Sequence, residues 1–432
     1  MYTIQKSLFV GGVLFTAVLI NNIEVNAKAG WVETQMGWSY YDKQGDKITD
    51  KWISDIYYIS TDGFMLADSW VKTTSNEKGE EQFWYYLNEE GKRVENSWKT
   101  IAGKKYYFNS EGKMHSGWYA DTYYLGNPDD GALKTGWVKT ISAAEASRGI
   151  IANDNNSSWY YFSNSGTIAK WEVPRNANAV TKVISGKTYA FDRNGKMLSG
   201  WILINTEDSK TQISSYKYFG GANDGELKTG WINTEPPADI KRISGKNGTS
   251  WYYLSNKGVP KSSNNSDKYS KSDLTVINGK TYLFDEYGQY VSGFVYVGDD
   301  VYYFGSADKG YMQVGQFGDL LGIGDVREGY YFTESGTNIG RGITGEKSGK
   351  LYYRGKLQKA KVSSGFAVIS FRDSAVQNYV VNTYGEIQKN VTVSTKNGTV
   401  YRTDTRGILT HIDGKDIDKN TIQGSTPQAP RW

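Results

Sequence analysis

One formula governs this chain: a Gly-Trp or Ser-Trp pair, an aromatic strand core, a polar turn holding glycine, and a second short strand. The stretch "GKMHSGWYADTYYLGNPDDGALKTGW", Gly112 to Trp137, contains Gly-Trp twice with Tyr-Tyr between. The pair recurs at Trp70, Trp98, Trp118, Trp137, Trp201 and Trp231, and where it is tightest Trp98, Trp118 and Trp137 stand 20 and 19 residues apart. That spacing holds one β-hairpin and places the chain among repeat architectures. The strand cores "KKYYFNSEGKM", "KTYAFDRNGKM" and "KTYLFDEYGQY" each run from aromatics into a glycine-bearing turn and out into a short strand.

Composition agrees with this reading. Aromatics make up 15% of the 432 residues, with Tyr 34, Trp 14 and Gly 49. Such a chain must build its apolar contacts from rings and punctuate them with glycine turns, which favours many short strands over long amphipathic helices. Lys+Arg 50 against Asp+Glu 46 gives a charge of +4, too weak a bias to argue for nucleic acid. The first residues read as an export signal: Lys6 supplies a basic start, Ser7 to Ile20 is apolar, and "VNAKA" offers small residues for cleavage after Ala27 or Ala29. The apolar run is short for a membrane span. With no cysteine, neither disulfides nor a lipid-bearing cysteine is available, and the C-terminal "IQGSTPQAPRW" has no hydrophobic tail. Attachment to a cell surface would therefore be non-covalent.

A longer period overlies the short one. "WYYFSNSG" at Trp159 returns as "WYYLSNKG" at Trp251, and "FGGANDGELKTGW" ending at Trp231 repeats the motif ending at Trp137. These shifts of 92 and 94 residues hold three hairpins each, so the chain is expected to be all-β, a solenoid of stacked β-hairpins with about three hairpins per turn. Inserts at Ser142 to Ser158, Thr234 to Ser250 and Pro260 to Asp273 read as solvated loops, with a lateral contact surface as the functional alternative. Only one tryptophan, Trp432, follows Trp251. The expected organisation is a signal over 1–29, Trp/Tyr-rich hairpin repeats over 30–317, and worn repeats over 318–432 that continue the solenoid or form an interaction module.

A lone hairpin is barely stable in water, so rings stacked from hairpin to hairpin must form a continuous core. The same rings can serve a ligand. Three converging aromatic faces make a box for a quaternary ammonium, which donates no hydrogen bond and is held by cation–π attraction of roughly 0.5–2 kcal/mol per ring. A flatter arrangement would take a sugar face. Weak sites repeated along one chain gain avidity from effective concentration.

The segment "SWKTIAGKKYYFNSEGKMHSGW", Ser97 to Trp118, closely resembles the cell-wall-binding repeats of Gram-positive surface proteins, known as choline-binding repeats. It is similar also to the glucan-binding repeats of streptococcal glucosyltransferases and the C-terminal repeats of clostridial toxins. In the choline-binding branch the resemblance implies a hairpin superhelix holding choline of teichoic acids between successive hairpins. Carried over by motif, the Gly-Trp role falls on Trp118, Trp137, Trp201 and Trp231, with Trp70 and Trp98 in the Ser-Trp form. The strand role falls on Trp84, Tyr106, Tyr123, Trp159 and Trp251, and the turn-exit methionine on Met114 and Met197. Departures from the pattern, such as Gly-Phe at Phe294, imply fewer working sites than repeats, with the most regular stretch between Trp70 and Trp137.

No catalytic residues, metal ligands or cofactor are expected. The repeat begins at Trp31, and the two histidines, His115 in a turn and His411 in the worn tail, argue against multi-histidine zinc sites. The Asp129–Asp130 pair of "NPDDG" recurs in a hairpin turn and reads as turn chemistry rather than a glycosidase dyad. The partners expected are choline-bearing teichoic acid or another wall polysaccharide, with a surface or host protein as a further candidate. The alternative functions are a glucan- or host-glycan-binding adhesin, a wall-hydrolase regulator, and a cryptic glycosidase.

Overall fold

The computed structural model describes residues 29–74, 81–175, 177–204, 212–244, 248–321, 327–372 and 374–430. The export signal, apart from Ala29, and Trp432 lie outside the described residues. The chain divides into two compact units, the first ending at Ala169 and the second beginning at Lys170. Both are all-β hairpin arrays.

Six antiparallel hairpins fill the described part of the first unit. Their strands are Gly30–Thr34 with Gly37–Tyr41, Lys51–Ile53 with Tyr57–Ile59, Ser69–Thr74 with Gln82–Leu87, Ser97–Ile101 with Lys104–Phe108, Gly117–Tyr119 with Tyr123–Leu125, and Gly136–Thr140 with Ser158–Phe162. The second unit continues the formula from Val180–Ile184 with Lys187–Phe191. From Gly315 on the hairpins persist and several merge, giving a five-stranded sheet over Gly315–Leu357 and a four-stranded one over Thr392–Asp416, with Phe366–Arg372 and Val376–Asn382 as a separate hairpin between them.

The turns follow from local chemistry. Ala102 and Gly103, at φ +47° and +77°, make the two-residue loop whose left-handed residues match strand twist; Ser185–Gly186 and Asn278–Gly279 repeat it. After many hairpins an Asn or Asp side chain caps the next turn, and Ser60, Ser163 and Ser255 take that place after others. Asn109 Oδ1 accepts from the amides of Glu111 and Lys113 at 3.0 and 2.9 Å, and Asp192, Asp285 and Asp404 do the same in their own turns.

The residue leaving that turn then performs two tasks. Its amide donates to a carbonyl in the preceding hairpin: Met65 to Trp38, Arg93 to Ile56, Met114 to Trp84, Leu133 to Lys105, and Ile168 to Thr122, at 2.7–2.8 Å. Its side chain lies on the turn glycine of the following hairpin. A Cβ built on Gly91 would stand 2.6 Å from Met65 Cε, one on Gly131 would collide with Met114 Sδ, and one on Gly166 would stand 2.5 Å from Leu133. The second unit repeats this with Met197 on Gly225, Leu227 on Gly258 and Tyr290 on Gly310.

Between these links runs the core. From the second hairpin on, a residue at or just beyond the end of the second strand is fully or almost fully buried in most hairpins: Ile59, Leu87, Phe108, Leu125 and Phe162 in the first unit, and Phe191, Phe219, Leu254, Phe284, Phe304 and Phe332 in the second. Each such side chain contributes roughly 1.5–3 kcal/mol by leaving water.

The inserts are not plain loops. The first carries the short helix Ala143–Ala146, closed by a Ser142–Glu145 capping box, and the second carries the helix Ala238–Ser244. The third lies between hairpins and carries a 3₁₀ turn, Lys271–Asp273.

The contact between turn-exit side chain and glycine makes a prediction. Gly131→Ala, at φ +57° and against Met114, should lower unfolding stability by about 1–3 kcal/mol more than Gly103→Ala, at φ +77° with nothing within 4 Å. Urea unfolding midpoints of the two variants measure the difference.

Candidate functional site: aromatic boxes between hairpins

Register decides which rings share a face. In the hairpin Ser69–Leu87, Trp70 pairs with Tyr86 and Lys72 with Trp84, so the two tryptophans are diagonal neighbours on one surface. Their centroids lie 6.1 Å apart with planes at 90°. The next hairpin adds Tyr106, 5.0 Å from Trp70 and inclined at 71°. With Met114 these rings line a cleft of about 230 Å³, and Asp129 and Asp130 of the following turn complete its wall.

The same construction occurs twice more. Trp231 and Trp251, 6.2 Å apart at 83°, meet Tyr282, which lies 4.8 Å from Trp231, with Tyr290 in the methionine's place and Asp308 and Lys309 alongside, around about 270 Å³. At the start of the repeats Trp31, Trp38, Tyr57, Met65 and Glu90 surround about 330 Å³, with Trp31 5.2 Å from Tyr57 at 74°. Trp38 and Trp251 are 40% and 41% exposed, unusual for indoles and open to a ligand. In all three, one hairpin gives two indoles, the next a tyrosine and its turn-exit side chain, and the third a turn carboxylate.

The remaining sequence-derived candidates fall in other settings. Trp137 and Trp159 form a fourth indole pair, 6.5 Å apart at 85°. Trp98 meets Tyr107, Tyr119 and Tyr123 at 5.3–5.7 Å, but Lys105 replaces the second indole and lays its ammonium 4.8 Å from the Trp98 ring. Trp118 packs on Tyr124, Tyr160 and Phe162 and donates its indole N–H to Ile141 O at 2.9 Å. Trp201 packs on Tyr218 and Tyr252 and donates to Glu235 O at 2.9 Å. Both acceptors stand at the entry to an insert, so the inserts bind back onto the preceding hairpin's indole. Met197 is buried against Gly225.

Sequence reasoning missed Trp31, Trp38, Tyr57, Met65, Tyr282, Tyr290 and the carboxylates. Tyr282 was findable, since "KTYLF" holds it where "KKYYF" holds Tyr106. Trp31 and Trp38 form a Gly-Trp pair of their own, compressed into one short hairpin.

The electrostatics favour a cation in these clefts. Asp129 accepts from Lys72 Nζ at 2.7 Å and from Trp84 Nε1 at 3.3 Å, and these bonds hold its carboxyl below the usual carboxylate range. Burial, then Asp130, raises the Tyr106 phenol; burial, then Asp308, raises Tyr290. Among the described residues no three His, Cys, Asp or Glu side chains converge as metal ligands. A larger cleft of about 520 Å³ in the second unit mixes Arg341, Arg354 and Arg372 with Asp299 and Asp300 and contains no tryptophan.

The profile for the choline-binding repeat matches residues 95–137, and that for the putative cell wall binding repeat matches residues 152–168. Residues 95–137 and 152–168 therefore carry repeats of the choline-binding, cell-wall-binding family. Among curated proteins, the chain is 30% identical over 166 residues to glucosyltransferase-S of Streptococcus mutans, covering 37% of this chain and 10% of that protein. A putative endo-beta-N-acetylglucosaminidase of Streptococcus pneumoniae is 24% identical over 115 residues, covering 27% and 15%. The chain thus spans only 10–15% of the length of these curated relatives. Among solved structures, choline binding protein F of Streptococcus pneumoniae has 19% identity, 76% and 98% coverage and a TM-score of 0.36. CbpJ of the same organism has 20%, 79%, 100% and 0.42.

The rings that are core rather than box make a prediction of their own. Burial, then Asp239, pushes the Tyr216 phenol up to about 12, and burial pushes Tyr252 up to about 12. An unfolded phenol ionises near 10, so the stability these groups contribute is complete below about pH 10 and lost as pH rises towards 12. Absorbance titration should show a class of tyrosines ionising only with alkaline unfolding, and Asp239→Asn should lower the Tyr216 value.

Proposed function

We propose that this protein is a non-catalytic binding protein of the bacterial surface, attached to the wall by choline-bearing teichoic acid. The observation that carries the reading is the threefold recurrence of two indoles, a tyrosine and an apolar floor around a cleft of about 230–330 Å³, with the indoles near perpendicular in the Trp70 and Trp231 boxes. A quaternary ammonium gains roughly 0.5–2 kcal/mol from each ring face it meets. One box is therefore a weak site, and several on one chain facing a polymer with many choline groups bind by avidity. The surfaces outside the boxes remain available to present to another protein.

A second reading, a glucan-binding adhesin, draws support from the match to glucosyltransferase-S. The box geometry favours the first: perpendicular rings enclose a compact cation, whereas a sugar face needs a ring to lie flat against.

Titration with choline followed by tryptophan fluorescence tests this. The protein should show saturable quenching, and Trp70→Ala should weaken the response of its box at least about fivefold. Trp118→Ala should leave the ligand response unchanged and instead lower the unfolding midpoint. Retention on dextran without any choline response would establish the glucan reading.

A further inference from the structure

Each open box ends in a carboxylate, and the fold delivers it there by one device. The turn-exit side chain that floors a box also seats the next hairpin's turn glycine: Met65 on Gly91, Met114 on Gly131, Tyr290 on Gly310. The acids stand one or two positions before those glycines: Glu90, Asp129 with Asp130, and Asp308. All line their clefts. From these placements we infer that Glu90, Asp129 and Asp308 determine specificity, making the open boxes accept a quaternary ammonium in preference to an uncharged ligand of the same shape. This rests on the choline-box reading and deepens it.

The protein itself shows what such rings accept. Beside the second hairpin's indole, Trp52, the turn-exit residue supplied by the third hairpin is Arg93, which lies on Gly112 with Glu111 as the preceding acid. Its guanidinium sits 5.6 Å from the Trp52 ring. There the chain supplies its own cation to the indole. The fourth hairpin does likewise with Lys105 over Trp98. In the Trp70 box Lys72 holds the place loosely, 5.6 Å from Trp84 and 2.7 Å from Asp129, with both charged side chains well exposed. A quaternary ammonium entering that box takes over the carboxylate's field from Lys72.

The test compares choline with its uncharged tert-butyl isostere, the alcohol in which carbon replaces nitrogen, on the full chain. In the combined variant Glu90→Gln, Asp129→Asn, Asp308→Asn, choline binding should weaken about threefold at low salt, as for a partly exposed charge pair. Isostere binding should stay unchanged. Added salt should weaken choline binding to the parent protein and not to the variant. Lys72→Met should tighten choline binding, and Glu111→Gln, at the turn where Arg93 already supplies the cation, should have no effect. Unchanged choline affinity in the combined variant overturns the inference and leaves the boxes standing. Equal weakening of choline and isostere also overturns it, since the acids would then only hold the indoles in place. A parent protein that responds to neither ligand refutes the box reading itself.

Discussion

The interaction on which everything else depends is the seat of one turn-exit side chain on the next hairpin's glycine, together with the amide that ties the same residue to the hairpin before. Met114 donates its N–H to Trp84 O at 2.8 Å and lays its sulfur over Gly131. One residue thereby fixes three consecutive hairpins. A hairpin alone has too little apolar face to persist in water, so the array exists only because each unit is locked to its neighbours. Glycine is required at the seat because the chain turns there with positive φ and because any Cβ would displace the incoming side chain.

From that lock the boxes follow without further design. The residue whose carbonyl receives the exit amide is Trp38, Trp84 or Trp251, the second indole of each box. The exit side chain becomes the floor, the ring of its own hairpin the third wall, and the turn it seats brings the acid. The indole, the floor and the carboxylate are thus held by backbone hydrogen bonds and a packed contact rather than by free side-chain choice. Such preorganisation reduces the entropy a small ligand must overcome.

The same scaffold explains why not every Gly-Trp makes a box. Where the strand position before Tyr-Tyr is Lys105, the ammonium covers Trp98. Where an insert begins in the following hairpin, its backbone takes the indole N–H, as Ile141 does for Trp118 and Glu235 for Trp201. An indole that donates its only N–H to a backbone carbonyl and packs on neighbouring rings is part of the core, and its loss costs stability first.

Sequence alone determined the hairpin, because Ala-Gly and Asn-Gly turns, Asx-capped loops and alternating aromatics are local chemistry that acts within a single repeat. It also determined the unit of repetition, and it placed Trp70, Trp84, Tyr106 and Met114 together, since their spacing follows the regular stretch of the formula. Tertiary structure decided which repeats open. Whether Trp98 faces solvent or Lys105, whether Trp118 faces a ligand or Ile141, and whether Glu90 or Asp308 reaches a cleft all depend on how neighbouring strands and hairpins meet. Those contacts are set by side-chain size and charge at positions the repeat leaves variable, and a pattern that recurs in every unit holds no information about how its variations meet.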